Sequence, residues 1–253
     1  MIIEVQHLGK SYTTNLNKPI DISLPIKNGD DNPNCFWAEP VHISTITVGD
    51  YVGSVAQGGS TNYQRICLTP HGNGTHTECY GHITSDSDGT IDQCLKQFHF
   101  VAALISVPLT VLDNGDKVVT YDTFLKALNG QKVDAIVIRT LSNQENKMAA
   151  RYSGNNPPYL DPKITLYFAD HDIEHLLVDL PSVDRESDEG RLTAHKNFWQ
   201  TEGKIRKTAT ITELIYVPKG VVDGLYLLNI QVPHIVIDAV PSKPLIYPLE
   251  TVN

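Results

Sequence analysis

Tyr121-Asp-Thr-Phe-Leu-Lys-Ala-Leu-Asn-Gly130 followed by Val133-Asp-Ala-Ile-Val-Ile-Arg-Thr140 reads as a helix with glycine at its end and then an almost unbroken apolar strand. Such a strand suits the interior of a sheet covered on both faces. The apolar run VAALISVPL ahead of the helix predicts another strand at about 101–108. Strand, helix, strand implies an α/β fold. The pattern repeats downstream, with a helix over 161–170, a strand over 176–180, a helix near 192–200, and strands at about 211–217 and 224–232.

Upstream the chain is β-rich. Residues 2–6 and 10–14 alternate around Leu8-Gly9-Lys10 as in a hairpin, and 20–26 (IDISLPI) predicts a short strand closed by Pro25. Strands are also expected at about 41–47 and 63–69. The run NGDDNPN over 28–34 is a surface turn. Phe36 and Trp37 follow it and are expected to plug the core, a pocket wall being the other reading.

A chain of 253 residues, 41% of them hydrophobic, can bury a substantial core, and the lack of a long linker predicts one domain over 1–253. The net charge of -9 and the dispersed lysines and arginines leave no basic stripe for phosphates. That argues against nucleic acid and membrane surfaces and for a small-molecule substrate. Met1-Ile-Ile-Glu-Val has no leader pattern, and no apolar run approaches the ~20 residues of a membrane span, so a cytoplasmic protein is expected. Cys35, Cys67, Cys79 and Cys94 form no CxxC pair, which predicts reduced thiols.

The chemistry is expected in His71-Gly-Asn-Gly-Thr-His-Thr-Glu-Cys-Tyr-Gly-His82, which sets three histidines and a carboxylate among small and polar residues. Imidazole nitrogen and carboxylate oxygen together hold Zn²⁺ or Mn²⁺ in hydrolytic sites, where the ion makes water a nucleophile near neutral pH. In an extended segment side chains alternate, so His76 and Glu78 share a face. His71 breaks that parity, and Gly72 and Gly74 are expected to supply a bulge or turn that returns it. Cys79 faces away from Glu78 and is read as a neighbour of the ion, not a ligand. Farther on, His195 sits in a helix beside apolar residues. Glu213 lies in a strand otherwise built for burial, and needs a cation, a metal or a turned-out face on an edge strand. Asp184 follows a strand's carboxyl end, where it either orients an imidazole or caps a turn.

These residues resemble the cyclase family of metal-dependent hydrolases, which includes bacterial kynurenine formamidase and isatin hydrolase. Its motif HxGTHxDxPxH is matched at Gly74-Thr75-His76, with Glu78 at the aspartate and His82 at the last histidine. His71 answers to the first histidine with one residue inserted. Asp21-Ile-Ser-Leu-Pro-Ile26 is similar to the family's DLSxPI, Ile138-Arg139-Thr140 to its IRTG, and Leu180-Pro-Ser-Val-Asp184 to its TPSVD. Ala194-His195 answers to its AH pair and Thr212-Glu213-Leu214 to its ENL. The resemblance implies a swivelling β/β/α fold with a mixed central sheet, assembled as a homodimer or homotetramer. It also implies that His71, His76 and Glu78 bind a first metal, that Glu78 bridges to a second held by His195 and Glu213, and that His82 is the general acid and base. Three departures, Glu78 for aspartate, Tyr80 for proline and the inserted residue, mark a divergent branch with its own substrate. The longer reach of Glu78 and the insertion are expected to compensate each other.

The expected reaction is hydrolysis of a small amide such as an N-formylkynurenine-like arylformamide, a step of tryptophan catabolism. Metal-bound hydroxide attacks the carbonyl, and His82 passes a proton to the leaving nitrogen. Zn²⁺ is the first choice and Mn²⁺ the second, as one or two ions. The alternatives are a cyclic amide (isatin-like) hydrolase with one Mn²⁺, leaving Glu213 unligated, and a non-catalytic metal-binding family member with a closed shell. For His82 the other reading is a hydrogen bond to backbone in a tight turn. Phe36, Trp37, Tyr63 and Tyr80 are the aromatic candidates to stack on an aryl ring.

Overall fold

The strand Ala135–Leu141 runs through the middle of a nine-stranded sheet and is buried at all but its last residue, as its apolar sequence requires. These elements come from a computed structural model that describes residues 1–252. The parallel neighbours of Ala135–Leu141 are His99–Pro108 and His175–Val178, and Thr210–Glu213 extends the parallel set beyond the latter. Antiparallel strands flank this centre. His76–Glu78 and then Ala239–Pro241 lie at one end, with Gly224–Gln231, Lys243–Pro248 and Ile20–Asp21 at the other. The result is the expected α/β class with a mixed sheet.

Ala239–Pro241 and Lys243–Pro248 belong to opposite ends of that order, yet only Ser242 separates them. Two residues of extended chain span at most about 7 Å. The sheet therefore curls until its ends meet at Ser242, whose N–H donates to the carbonyl of Thr75 (3.0 Å) just ahead of the strand His76–Glu78.

The helices Tyr121–Leu128, Pro162–Asp170 and Thr193–Trp199 connect the parallel strands. Each turns an apolar side inward, so that Phe124, Leu128, Ile164, Phe168, Phe198 and Trp199 are fully buried. Ring centroids are 6.1 Å apart for Phe124 and Phe168, 5.8 Å for Phe168 and Phe198, and 5.6 Å for Phe198 and Trp199. Trp199 in turn lies 5.5 Å from His195. Aromatic contacts of this kind add about 0.5–1.5 kcal/mol beyond burial, and here they run from the core to a predicted metal ligand. Asp161 caps the second helix by accepting from the N–H of Lys163 (3.0 Å), with Pro162 at its first position.

Ile2–His7 and Lys10–Asn15 form the expected hairpin, closed by Leu8 (φ 49°) and Gly9 (φ 75°), both in the left-handed region that a two-residue turn needs. Three other expectations change. The strand over 20–26 shrinks to Ile20–Asp21, because the Asp21 carboxylate accepts from the N–H (2.9 Å) and hydroxyl (2.6 Å) of Ser23 and turns the chain. The strand over 211–217 ends at Glu213, since Leu214 takes a left-handed φ of 55°. Phe36 and Trp37 do not plug the core. Both have left-handed φ (55° and 54°), and the turn leaves them 43% and 72% exposed. No helix among the described residues is long and apolar enough to cross a membrane.

Candidate metal centre

His76 and Glu78 alternate on the strand His76–Glu78, so both side chains leave the same face, as predicted. Glu213 stands directly across from His76 on the antiparallel neighbour. That pairing turns Glu213 inward and removes the edge-strand reading. It is buried, Oε1 accepts from the N–H of Val183 (3.0 Å), and Oε2 lies 3.4 Å from His76 Nε2. Nδ1–H of His76 donates to the carbonyl of Gly74 (3.0 Å), which leaves Nε2 as the nitrogen facing Glu213.

His71 reaches the same point on a single helical turn, Pro70–Asn73, rather than through a bulge. Its Nδ1 is 3.1 Å from Glu78 Oε2. Gly72 is required within this turn because a Cβ there would lie 2.3 Å from the Cβ of Ala38. His195 enters from the helix Thr193–Trp199, with Nε2 3.2 Å from Glu78 Oε1. Asp184 does both things foreseen for it. It accepts from His195 Nδ1–H (2.6 Å), and it caps that helix through the N–H groups of Ala194 (2.8 Å) and His195 (3.1 Å).

Glu78 is thus the focus. Its side chain is fully buried, and its oxygens have only ion-pair contacts with imidazole nitrogens, Oε2 with His71 and Oε1 with His195, neither of them aligned as a hydrogen bond. His76 Nε2 is likewise buried without a hydrogen-bond partner. A buried polar atom left without a partner costs about 1–3 kcal/mol, and a cation held among these donors would supply one. Donor atoms of His71, His76 and Glu78 lie within 4.8 Å of one another, as do those of Glu78, His82 and His195. The residues fit a divalent ion.

The electrostatics show what such an ion has to displace. Burial pushes the Glu78 carboxyl up, but His82, His195 and His71 outweigh it and hold the group well below the usual carboxylate range. Burial pushes His71 and His195 down, but Asp238 and Glu78 raise the first to about 10, and Asp184 and Glu78 raise the second to about 10. Without an ion, both rings keep protons at neutral pH that a metal has to displace.

His82 rides on the short turn Tyr80–Ile83, about a third exposed, with Nε2 3.9 Å from Glu78 Oε2. Its Nδ1 lies 3.3 Å from Asp238 Oδ2, so its partner is a side chain and not backbone. Tyr80 is an anchor of this turn instead of a stacking surface. It is buried, its hydroxyl donates to Asp86 (3.0 Å), and Lys207 Nζ lies 5.6 Å from its ring centre. Gly81 is equally constrained, since a Cβ there would fall 1.7 Å from the carbonyl oxygen of Gly89. Cys79 is buried in the core. A cavity of about 280 Å³ opens on the site, lined by His71, His82, His195 and Glu213, with Phe36 and Leu192 as apolar wall. Of the four aromatic candidates only Phe36 lines it; Trp37 and Tyr63 are exposed elsewhere.

Asp238 is the residue that sequence reasoning missed. Its Oδ2 lies 3.0 Å from His71 Nε2 and 3.3 Å from His82 Nδ1, and these two rings hold its carboxyl well below the ordinary range. It arrives because Ala239 pairs with Glu78 across the sheet, and nothing in Ile235-Val-Ile-Asp-Ala-Val240 signals that pairing.

Residues 20–185 match the model of the Cyclase family. No protein of curated function matches the sequence. Among solved structures, a predicted metal-dependent hydrolase from Bacillus stearothermophilus is 22% identical, with 91% of this chain and 98% of that chain covered, at a TM-score of 0.64. Isatin hydrolase A from Labrenzia aggregata, bound to benzyl benzoate, is 12% identical over 91% of this chain and 93% of that one, also at 0.64. Isatin hydrolase A from Ralstonia solanacearum is 14% identical over 91% of each chain, at 0.62. At such identities the likeness is one of fold.

Proposed function

The chain belongs to the cyclase family, and from that premise we propose that it hydrolyses a small amide with the help of a divalent ion. The observation that carries this reading is the group of buried atoms without hydrogen bonds, His76 Nε2 and both oxygens of Glu78, beside an open cavity. His71, His76 and Glu78 would hold the ion; by resemblance to the family His195 and Glu213 would hold a second, His195 standing beside Glu78 and Glu213 beside His76. Zn²⁺ suits this nitrogen and carboxylate set, and Mn²⁺ is the other candidate. When bound, such an ion supplies acidified water and polarisation of a carbonyl oxygen.

The chain's own residues orient and move protons. Asp184 and the carbonyl of Gly74 fix the rings of His195 and His76, and the N–H of Val183 fixes Glu213. His82, on the cavity wall, carries a proton from the attacking water to the leaving nitrogen, a role worth roughly 10²–10⁴ in rate. Phe36 and Leu192 offer an apolar face to an aromatic ring, which favours an arylformamide. The same face accepts a fused cyclic amide, and the fold shared with isatin hydrolases is the reason to assay that class beside the first. The open cavity speaks against a closed, purely structural shell. A homodimer or homotetramer belongs to the same reading and is checked by light scattering.

Elemental analysis of protein loaded with Zn²⁺ or Mn²⁺, combined with assays on N-formyl arylamines and cyclic amides, tests the proposal. The expected result is turnover that chelation abolishes and added ion restores. Stoichiometric metal with no turnover of either class would instead make the chain a non-catalytic metal binder. His82→Ala is expected to lose about 10²-fold or more in kcat while keeping its metal; loss of both together would make His82 a ligand.

A further inference from the structure

We propose that Asp238 is a positioning residue that decides which nitrogen of His71 and of His82 carries the proton, a role that rests on the metal-hydrolase reading above. One oxygen, Oδ2, serves both rings, at 3.0 Å from His71 Nε2 and 3.3 Å from His82 Nδ1. The rings pack closely at a tilt, with centroids 4.2 Å apart and planes 32° from parallel, which lets a single carboxylate reach both. In each ring the opposite nitrogen turns toward Glu78, His71 Nδ1 at 3.1 Å and His82 Nε2 at 3.9 Å.

An ionised carboxylate only accepts hydrogen bonds, so both rings present N–H to Asp238. In a neutral imidazole the other nitrogen is then bare. For His71, once an ion displaces the second proton, this is the lone pair offered beside Glu78. For His82 it is the base that faces the cavity. The reverse tautomers would aim N–H groups at the ion site and set lone pairs against the carboxylate. Asp238 is held in place by its backbone, since its carbonyl accepts from the N–H of Cys79 (3.0 Å) and its neighbour Ala239 pairs with Glu78. Its side chain is 30% exposed, so removing it opens no cavity in the core.

Long-range ¹H–¹⁵N spectra of the imidazoles, recorded on metal-free and zinc-loaded protein at a pH where His82 is neutral, read the tautomers directly. Wild type is expected to show His82 as the Nδ1–H form. In Asp238→Ala that form gives way to Nε2–H or a mixture, zinc affinity falls about 10- to 100-fold, and kcat falls with KM held within about twofold. Asp238→Asn, which retains an acceptor oxygen without the charge, is expected to fall between the two. The Nε2–H form in wild type, or unchanged tautomer and affinity in Asp238→Ala, overturns the proposal. If that variant does not fold, the wild-type spectrum and Asp238→Asn decide. Failure of wild type to bind zinc would sink the metal reading separately, while the metal-free spectrum still tests Asp238 at His82.

Discussion

Glu78 has one methylene more than the aspartate of the motif, and its two oxygens reach imidazoles on two different elements, His71 on the turn Pro70–Asn73 and His195 on the helix Thr193–Trp199. Shortening the side chain retracts both oxygens by about 1.5 Å. Glu78→Asp is therefore expected to weaken zinc binding about tenfold or more, rather than restore a motif-like site. Competition titration against a chelating indicator checks this, and equal or tighter affinity would show that the inserted residue and Glu78 are not coupled. The shared face of His76 and Glu78 was legible in the sequence because alternation along a strand is a local property. Glu213 was half legible, since its burial depends on which strand lies opposite. Asp238 was not legible, as it meets His71 across 167 positions through a pairing that no local pattern encodes. Phe36 and Trp37 were misread because core and pocket wall draw on the same aromatic side chains.

Elements were legible where apolar runs are buried on both faces, as in His99–Pro108, Ala135–Leu141 and His175–Val178. Their ends were not, because a side-chain turn at Asp21 and a left-handed Leu214 depend on single residues whose alternatives are equally polar or apolar. The three helices act through the rings that join them, and Phe168 is the middle member, packed between Phe124 and Phe198 and fully buried. Phe168→Ala is expected to cost about 3–5 kcal/mol, read as a shift of the denaturant midpoint at unchanged slope. A loss below about 1 kcal/mol would mean that the helical layer repacks around the gap.

For the whole molecule, the protons on His71 and His195 couple stability to pH. Both groups are raised to about 10 in the folded, metal-free chain. Their stabilisation is fully present below an unfolded value of about 6.5 and is lost as pH rises through about 10. Metal-free protein is thus expected to melt at progressively lower temperature from about pH 6.5 to 10. Added Zn²⁺ is expected to raise Tm more at about pH 9 than at about pH 6.5, because fewer protons oppose its binding. Melts in chelator and in zinc at the two pH values check this, and a metal-free Tm that rises across the window would contradict it.

Ser242 ties the strand at one margin of the sheet to the last strand but one at the other. A hoop joined in this way offers no long rim for a foreign strand to template on. Fraying cannot start on one side without tugging the other, and the thread that closes the hoop also carries the carboxylate opposite the two imidazoles. Loosening anywhere around the ring thereby reaches the chemistry.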